Sequence, residues 1–105
     1  MAKQKRQSQT PAEHRDGKIR ARIIDEANGL QYLDNIRAVR LTSKDYKLLV
    51  MEDFAATLGQ IEGDVTFLCK DREVVLDHIL GFYKHQHNEF TLLIHEDTDG
   101  WYKKV

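Results

Sequence analysis

From Lys18 to Ile94 the sequence falls into β-branched and aromatic runs of four to eight residues, each ending at a turn signal and most with apolar side chains at every second position. A period of two sends successive side chains to opposite faces of an extended chain, so the pattern calls for β-strands with one dry and one wet face. Strands this short and this closely spaced pack as an antiparallel sandwich or barrel. The expected fold is therefore all-β, an antiparallel β-sandwich of about eight short strands.

The first run alternates Ile19, Ala21 and Ile23 with Lys18, Arg20 and Arg22. Asn28-Gly29 then supplies residues that tolerate positive φ, and the chain returns through residues 30–33 as a hairpin. Further strands are expected at 35–42, 46–51 and 64–70, the last turning at Asp71-Arg72 into 73–80. The intervening stretch 52–61 is the least strand-like and is expected to be a loop leading into a connecting segment. Periodicity does not separate the apolar run Leu48-Leu49-Val50-Met51 from a short helix. Gly81 interrupts two strand-like runs, which marks a bulge or a close approach of backbones. A last hairpin pairs 82–86 with 89–95 across His87-Asn88.

Outside this region the composition changes. Residues 1–16 hold no Val, Ile, Leu or aromatic side chain and cannot offset the entropy of ordering by burial. The domain reading is a flexible basic tail at 1–17, a β-sandwich at 18–96 and a short tail at 97–105, where Trp101 and Tyr102 are the groups able to dock. Residues 1–22 carry seven Lys/Arg against Glu13 and Asp16, net +5, while the rest carries nine against fifteen Asp/Glu, net −6. A basic arm from Lys3 to Arg22 on an acidic body can contact nucleic acid, which makes a free-standing β-sandwich adaptor the alternative function. No apolar run approaches the ~20 residues a membrane-crossing helix needs, and the N-terminus lacks a signal-peptide core, so a cytoplasmic protein without direct membrane insertion is expected.

The usual sequence signatures of catalysis are missing. Cys69 is the lone cysteine, sits in an apolar run and reads as a buried small hydrophobe. His85, His87 and His95 invite a metal reading, because residues two apart share a strand face, but no Cys or carboxylate at metal-site spacing completes a tetrahedral set. The acidic pairs at 25–26, 52–53 and 96–97 are sequence neighbours and point apart on a strand. Neither a glycine-rich phosphate loop nor a serine in a nucleophile elbow occurs. No enzyme, metal or cofactor is expected; binding should rest on exposed apolar residues.

The order of these elements resembles the N-terminal β-sandwich of the epsilon subunit of F-type ATP synthase, over residues 18–94. The residues that carry it are Ile36-Arg37-Ala38-Val39-Arg40-Leu41, then Lys47-Leu48-Leu49-Val50-Met51, Leu58 and Gly63-Asp64-Val65. Ile79-Leu80-Gly81-Phe82-Tyr83 is similar to the family's glycine-aromatic strand, and Asn88 with Phe90-Thr91-Leu92-Leu93-Ile94 to its asparagine-led final strand. The chain departs from the family at Glu52-Asp53-Phe54-Ala55-Ala56, where a His-Ala-Pro loop is usual. Eleven residues follow Ile94, too few for the family's C-terminal helical hairpin, so inhibition and ATP sensing by that element are not expected. The resemblance implies a non-catalytic central-stalk subunit that meets a gamma-like subunit and the membrane rotor ring, held at the membrane through that complex. It nominates Met51, Glu52, Asp53, Phe54 and Ala55 in one loop, and Leu80, Gly81, Phe82 and Tyr83 on one strand, as partner-binding residues.

Overall fold

The computed structural model describes residues 17–95. The basic arm before Gly17 and the stretch 96–105 with Trp101 and Tyr102 lie outside the described residues. Six strands follow in order: β1 (Ile19–Asp25), β2 (Gly29–Ser43), β3 (Lys47–Met51), β4 (Thr57–Cys69), β5 (Glu73–Gln86) and β6 (Glu89–Ile94). They hydrogen-bond in the order β1-β6-β5-β4-β2-β3, and β1 pairs with β2 as well. That additional pairing closes β1, β6, β5, β4 and β2 into a five-stranded barrel, with β3 as an extra strand on β2.

This corrects the expected sandwich of about eight strands. Residues 30–33 and 35–42 form one strand, β2, and residues 73–80 and 82–86 form one strand, β5. Each long strand bends where a non-glycine residue takes positive φ, Asn35 at 61° in β2 and His78 at 57° in β5. The β5 bend is a bulge: pairing with β4 slips between Gly63/Ile79 and Val65/Leu76. Asp64 holds it by accepting the His78 backbone N–H on Oδ1 at 3.1 Å. A bulge turns a strand without ending its ladder, so what looks in sequence like two strands is one that passes round a barrel corner. The stretch expected as a loop is partly strand too, since β4 starts at Thr57 and runs through Gly63. Residues 47–51 are a strand, not a helix.

The hairpins fall where the turn chemistry puts them. Gly29 takes φ 85°, and Asp25 steadies that turn by accepting from the Ala27 N–H at 2.9 Å and the Asn28 side-chain amide at 2.8 Å. His87 and Asn88 sit at φ 54° and 60°, so both central residues of the β5–β6 turn are left-handed, as a two-residue hairpin matching strand twist requires. One pairing departs from the antiparallel rule: β1 runs parallel to β6 from Arg20/Glu89 to Asp25/Ile94.

Alternate residues of every strand fill the interior. Ile19, Ala21 and Ile23 from β1 meet Phe90, Leu92 and Ile94 from β6, with Val39, Leu41, Val65 and Phe67 from the other half of the barrel. Phe90 binds the two halves through rings, stacking on Tyr83 with centroids 5.8 Å apart and meeting Phe67 edge-on at 5.8 Å. Gly81 lies in this interior opposite Ile61 and Ile94, where a Cβ would collide with the Leu93 carbonyl. It is the close backbone approach expected of it, while the bend occurs three residues earlier. Because its neighbour is ladder backbone that cannot swing aside, Gly81→Ala should cost about 1–3 kcal/mol, typical of overpacking. Chemical denaturation against the parent chain would measure this.

Candidate partner-binding face

The outer wall of the barrel carries a row of apolar side chains that only the sheet registers bring together. Leu30 on β2 lies opposite Ile24 on β1, Ile24 opposite Leu93 on β6, and Leu93 opposite Phe82 on β5. All four occupy outward positions and are between 38% and 52% exposed. Scattered surface leucines are ordinary, but four large apolar groups abreast on adjacent strands form a continuous stripe of the kind that marks an interaction surface. His95 edges the stripe, its ring 5.8 Å from that of Phe82.

Two residues along each strand lies a second row. Tyr32 is opposite Arg22, Arg22 opposite Thr91, Thr91 opposite Lys84, and Lys84 opposite the well-exposed Leu58. A third position carries Arg20 beside Glu89, joined by an ion pair at 3.1 Å.

The nominated residues divide between surface and interior. Phe82 belongs to the apolar stripe, and Met51 is exposed at the end of β3. Tyr83 and Gly81 are buried, as the alternation around Phe82 requires, and Leu80 is buried as well. The loop nominated alongside them closes one end of the barrel. Glu52 accepts the Lys18 backbone N–H at 2.8 Å, and Asp53 pairs with the Lys18 ammonium at 3.2 Å. Asp53 and Asn88 clasp each other: the Asp53 N–H donates to Asn88 Oδ1 at 2.7 Å, and the Asn88 amide returns a bond to Asp53 Oδ1 at 3.0 Å. Asn88 first and Lys18 second hold the Asp53 carboxyl below the usual aspartate range. Ala55 is exposed, and Phe54 is half-buried against His85 at 6.5 Å. Asn88, the turn residue just before β6, is thus a tether for the 51–56 loop and, through its carbonyl, for the Arg20 N–H at 2.9 Å.

The three histidines weighed for a metal are split among three environments. His85 points inward and is fully buried, His87 is exposed at the hairpin turn, and His95 lies beside Phe82. Among the described residues no three His, Cys, Asp or Glu side chains are grouped to hold an ion. His85 is unusual in another way: both ring nitrogens are buried without a hydrogen-bond partner, between the rings of Phe54 and Phe90. Removal from water disfavours the imidazolium and pushes its pKa below the ordinary histidine value. Cys69 is partly buried beneath the β4–β5 turn, packed on the core edge.

No protein-family model matches the sequence, and no curated protein matches it either. Among solved structures, the fold is similar to that of a chain in the cryo-EM structure of the Tetrahymena thermophila mitochondrial ATP synthase, central stalk and c-ring, with a TM-score of 0.61 and 12% sequence identity. The match covers 77% of this chain and 66% of that one, so this protein spans just under two thirds of its structural neighbour. At that identity what is shared is the fold, that of a chain in an ATP synthase stalk and ring assembly.

The buried imidazole sets a pH dependence with a definite sign. Its pKa is lower folded than unfolded, so its stabilising contribution is complete above the unfolded value of about 6.5 and is lost as pH falls through the folded value. Stability should therefore decline on acidification from about pH 6.5, with a slope of at most one proton, about 1.4 kcal/mol per pH unit. His85→Leu should remove the decline in that window, as read by urea midpoints at stepped pH.

Proposed function

We propose that this chain is an epsilon-like, non-catalytic subunit of the central stalk of an F-type ATP synthase, a binding module that couples a gamma-like shaft subunit to the membrane rotor ring during ATP synthesis or hydrolysis. The observation that carries this reading is that the motif order and the fold point the same way. The order of motifs from Ile36 to Ile94 resembles the epsilon family, and the barrel has the fold of a chain in a stalk and ring assembly. A protein whose task is to be carried round by its neighbours needs a rigid body and a sticky face. The closed barrel supplies the first and the Leu30-Ile24-Leu93-Phe82 stripe the second.

On this reading the stripe is the surface that packs against the partner. Its four side chains are half covered already, and burying the remainder of each contributes on the order of 1 kcal/mol at ~25 cal/mol per Å², enough together to form the centre of a standard interface. The loop 51–55 and the β5–β6 turn lie at the end of the barrel where Lys18, Asp53 and Asn88 meet. That clasped end, with Met51 exposed beside it, is the second contact we assign, toward the rotor ring.

The test is co-expression with the gamma-like subunit of the same genome. A one-to-one complex should survive gel filtration in 0.5 M salt, since burial of apolar surface is not screened. Phe82→Ser with Leu93→Ser should abolish co-elution and, because about half of each side chain is already covered, lower stability by on the order of 2 kcal/mol, so circular dichroism must show the variant still folded. Separate elution of the parent chain and the gamma-like subunit at micromolar concentration would reject the stalk reading.

A further inference from the structure

We infer that the face takes an amphipathic helix of its partner, with apolar side chains on the stripe and carboxylates along one flank, and that Arg22 and Lys84 select that flank. The inference rests on the partner-binding reading above and deepens it. Its basis is the second row, which the stripe alone does not use.

Arg22 and Lys84 point outward from β1 and β5 on either side of Thr91 of β6, so their backbones are two strand spacings apart, roughly 10 Å. Both are exposed, and among the described residues neither has an ion-pair or hydrogen-bond partner. Other cations near the same end are neutralised: Lys18 by Asp53 and Arg20 by Glu89. Asp34 lines the shallow depression that Arg20, Arg22 and Tyr32 share, at the side away from Lys84. His87 and Glu89 sit with Lys84 and Arg22 around the neighbouring depression. Arg22 and Lys84 thus stand unpaired along one line, two residues or roughly 7 Å from the stripe and parallel to it, with the nearby carboxylate of Glu89 engaged by Arg20.

That pairing of rows sets the shape of the occupant. The stripe crosses three strand spacings, roughly 14 Å, which an α-helix covers in about ten residues at 1.5 Å each. Such a helix laid across the strands buries one apolar face on Leu30, Ile24, Leu93 and Phe82, and its adjoining flank faces Arg22 and Lys84. Affinity then comes from the stripe, while the two cations govern the rate of encounter and reject partners of the wrong charge.

The experiment uses the full chain and two synthetic 14-residue helical peptides with the same leucine face, one flanked by glutamates and one by lysines. In 50 mM salt the glutamate peptide should shift the amides of Arg22, Ile24, Phe82, Lys84 and Leu93 and associate at least about tenfold faster than the lysine peptide. Arg22→Glu with Lys84→Glu should reverse that preference, Arg22→Lys with Lys84→Arg should keep it, and 0.5 M salt should abolish it. Equal rates for the two peptides, shifts confined to another face, or binding to phosphatidylcholine–phosphatidylglycerol vesicles with no peptide preference would overturn the inference. The gamma-like subunit separates this failure from that of the stalk reading. If it binds the parent chain and the Glu-substituted chain at the same rate, the cation row is excluded and the stalk reading stands. If the glutamate peptide behaves as described but the gamma-like subunit does not bind, the stalk reading fails and the helix-binding face remains.

Discussion

The parallel ladder between β1 and β6 joins strands whose paired residues Arg20 and Glu89 lie 69 positions apart in the chain. Every other strand pair in the barrel is antiparallel, and all but the β2–β4 pair join strands consecutive in the chain, but without this ladder the sheet has open edges at β1 and β6 and no enclosed interior. Closure gives Ile19, Ala21 and Ile23 a second wall to pack on and pairs the free edges of β1 and β6, which are otherwise sites of unwanted pairing. It also places Ile24 beside Leu93 and Arg22 beside Thr91, which makes rows out of side chains that two separate hairpins would hold apart.

Tight ends and bent middles share the work of holding this ring. At one end Asp53, Asn88, Lys18 and Glu52 knit the loop, the turn and the start of β1 together through polar contacts at the surface. Individually such exposed contacts are weak, and what they fix is geometry: they tie the 52–56 loop, which belongs to no ladder, to the start of the β1–β6 ladder. Inside, Phe90 does the equivalent with rings, touching Tyr83, His85 and Phe67 at once. The unpartnered imbalance at His85 is tolerated because the neutral imidazole behaves as one more flat apolar body between Phe54 and Phe90.

Strand identity was legible because alternation is local: Ile19-Ala21-Ile23 and Phe90-Leu92-Ile94 bury as their spacing requires. The turns at Gly29 and His87-Asn88 were legible for the same reason, since their φ preferences are properties of one or two residues. The bends were not. Asn35 and His78 adopt positive φ under tertiary constraint, while the glycine that looked like the breakpoint, Gly81, has no positive φ and is paired on both sides. The face was legible only at Phe82. Naming its neighbours Leu93, Ile24 and Leu30 needs the registers of three strand pairs, including the parallel one, and those are long-range quantities that no window of sequence contains.

The same ladder bears on how the chain comes into being. A ribosome delivers β1 first and β6 last, and the two ends of the ladder cannot meet until residues 89–94 have left the exit tunnel. Up to that moment Ile19, Ala21 and Ile23 lack the wall that Phe90, Leu92 and Ile94 supply, and contacts of this sequence separation are slow to form because their loop-closure entropy must be met first. The barrel therefore closes only after translation of its last strand, and the interval before closure is when its future interior is open to water and to other chains.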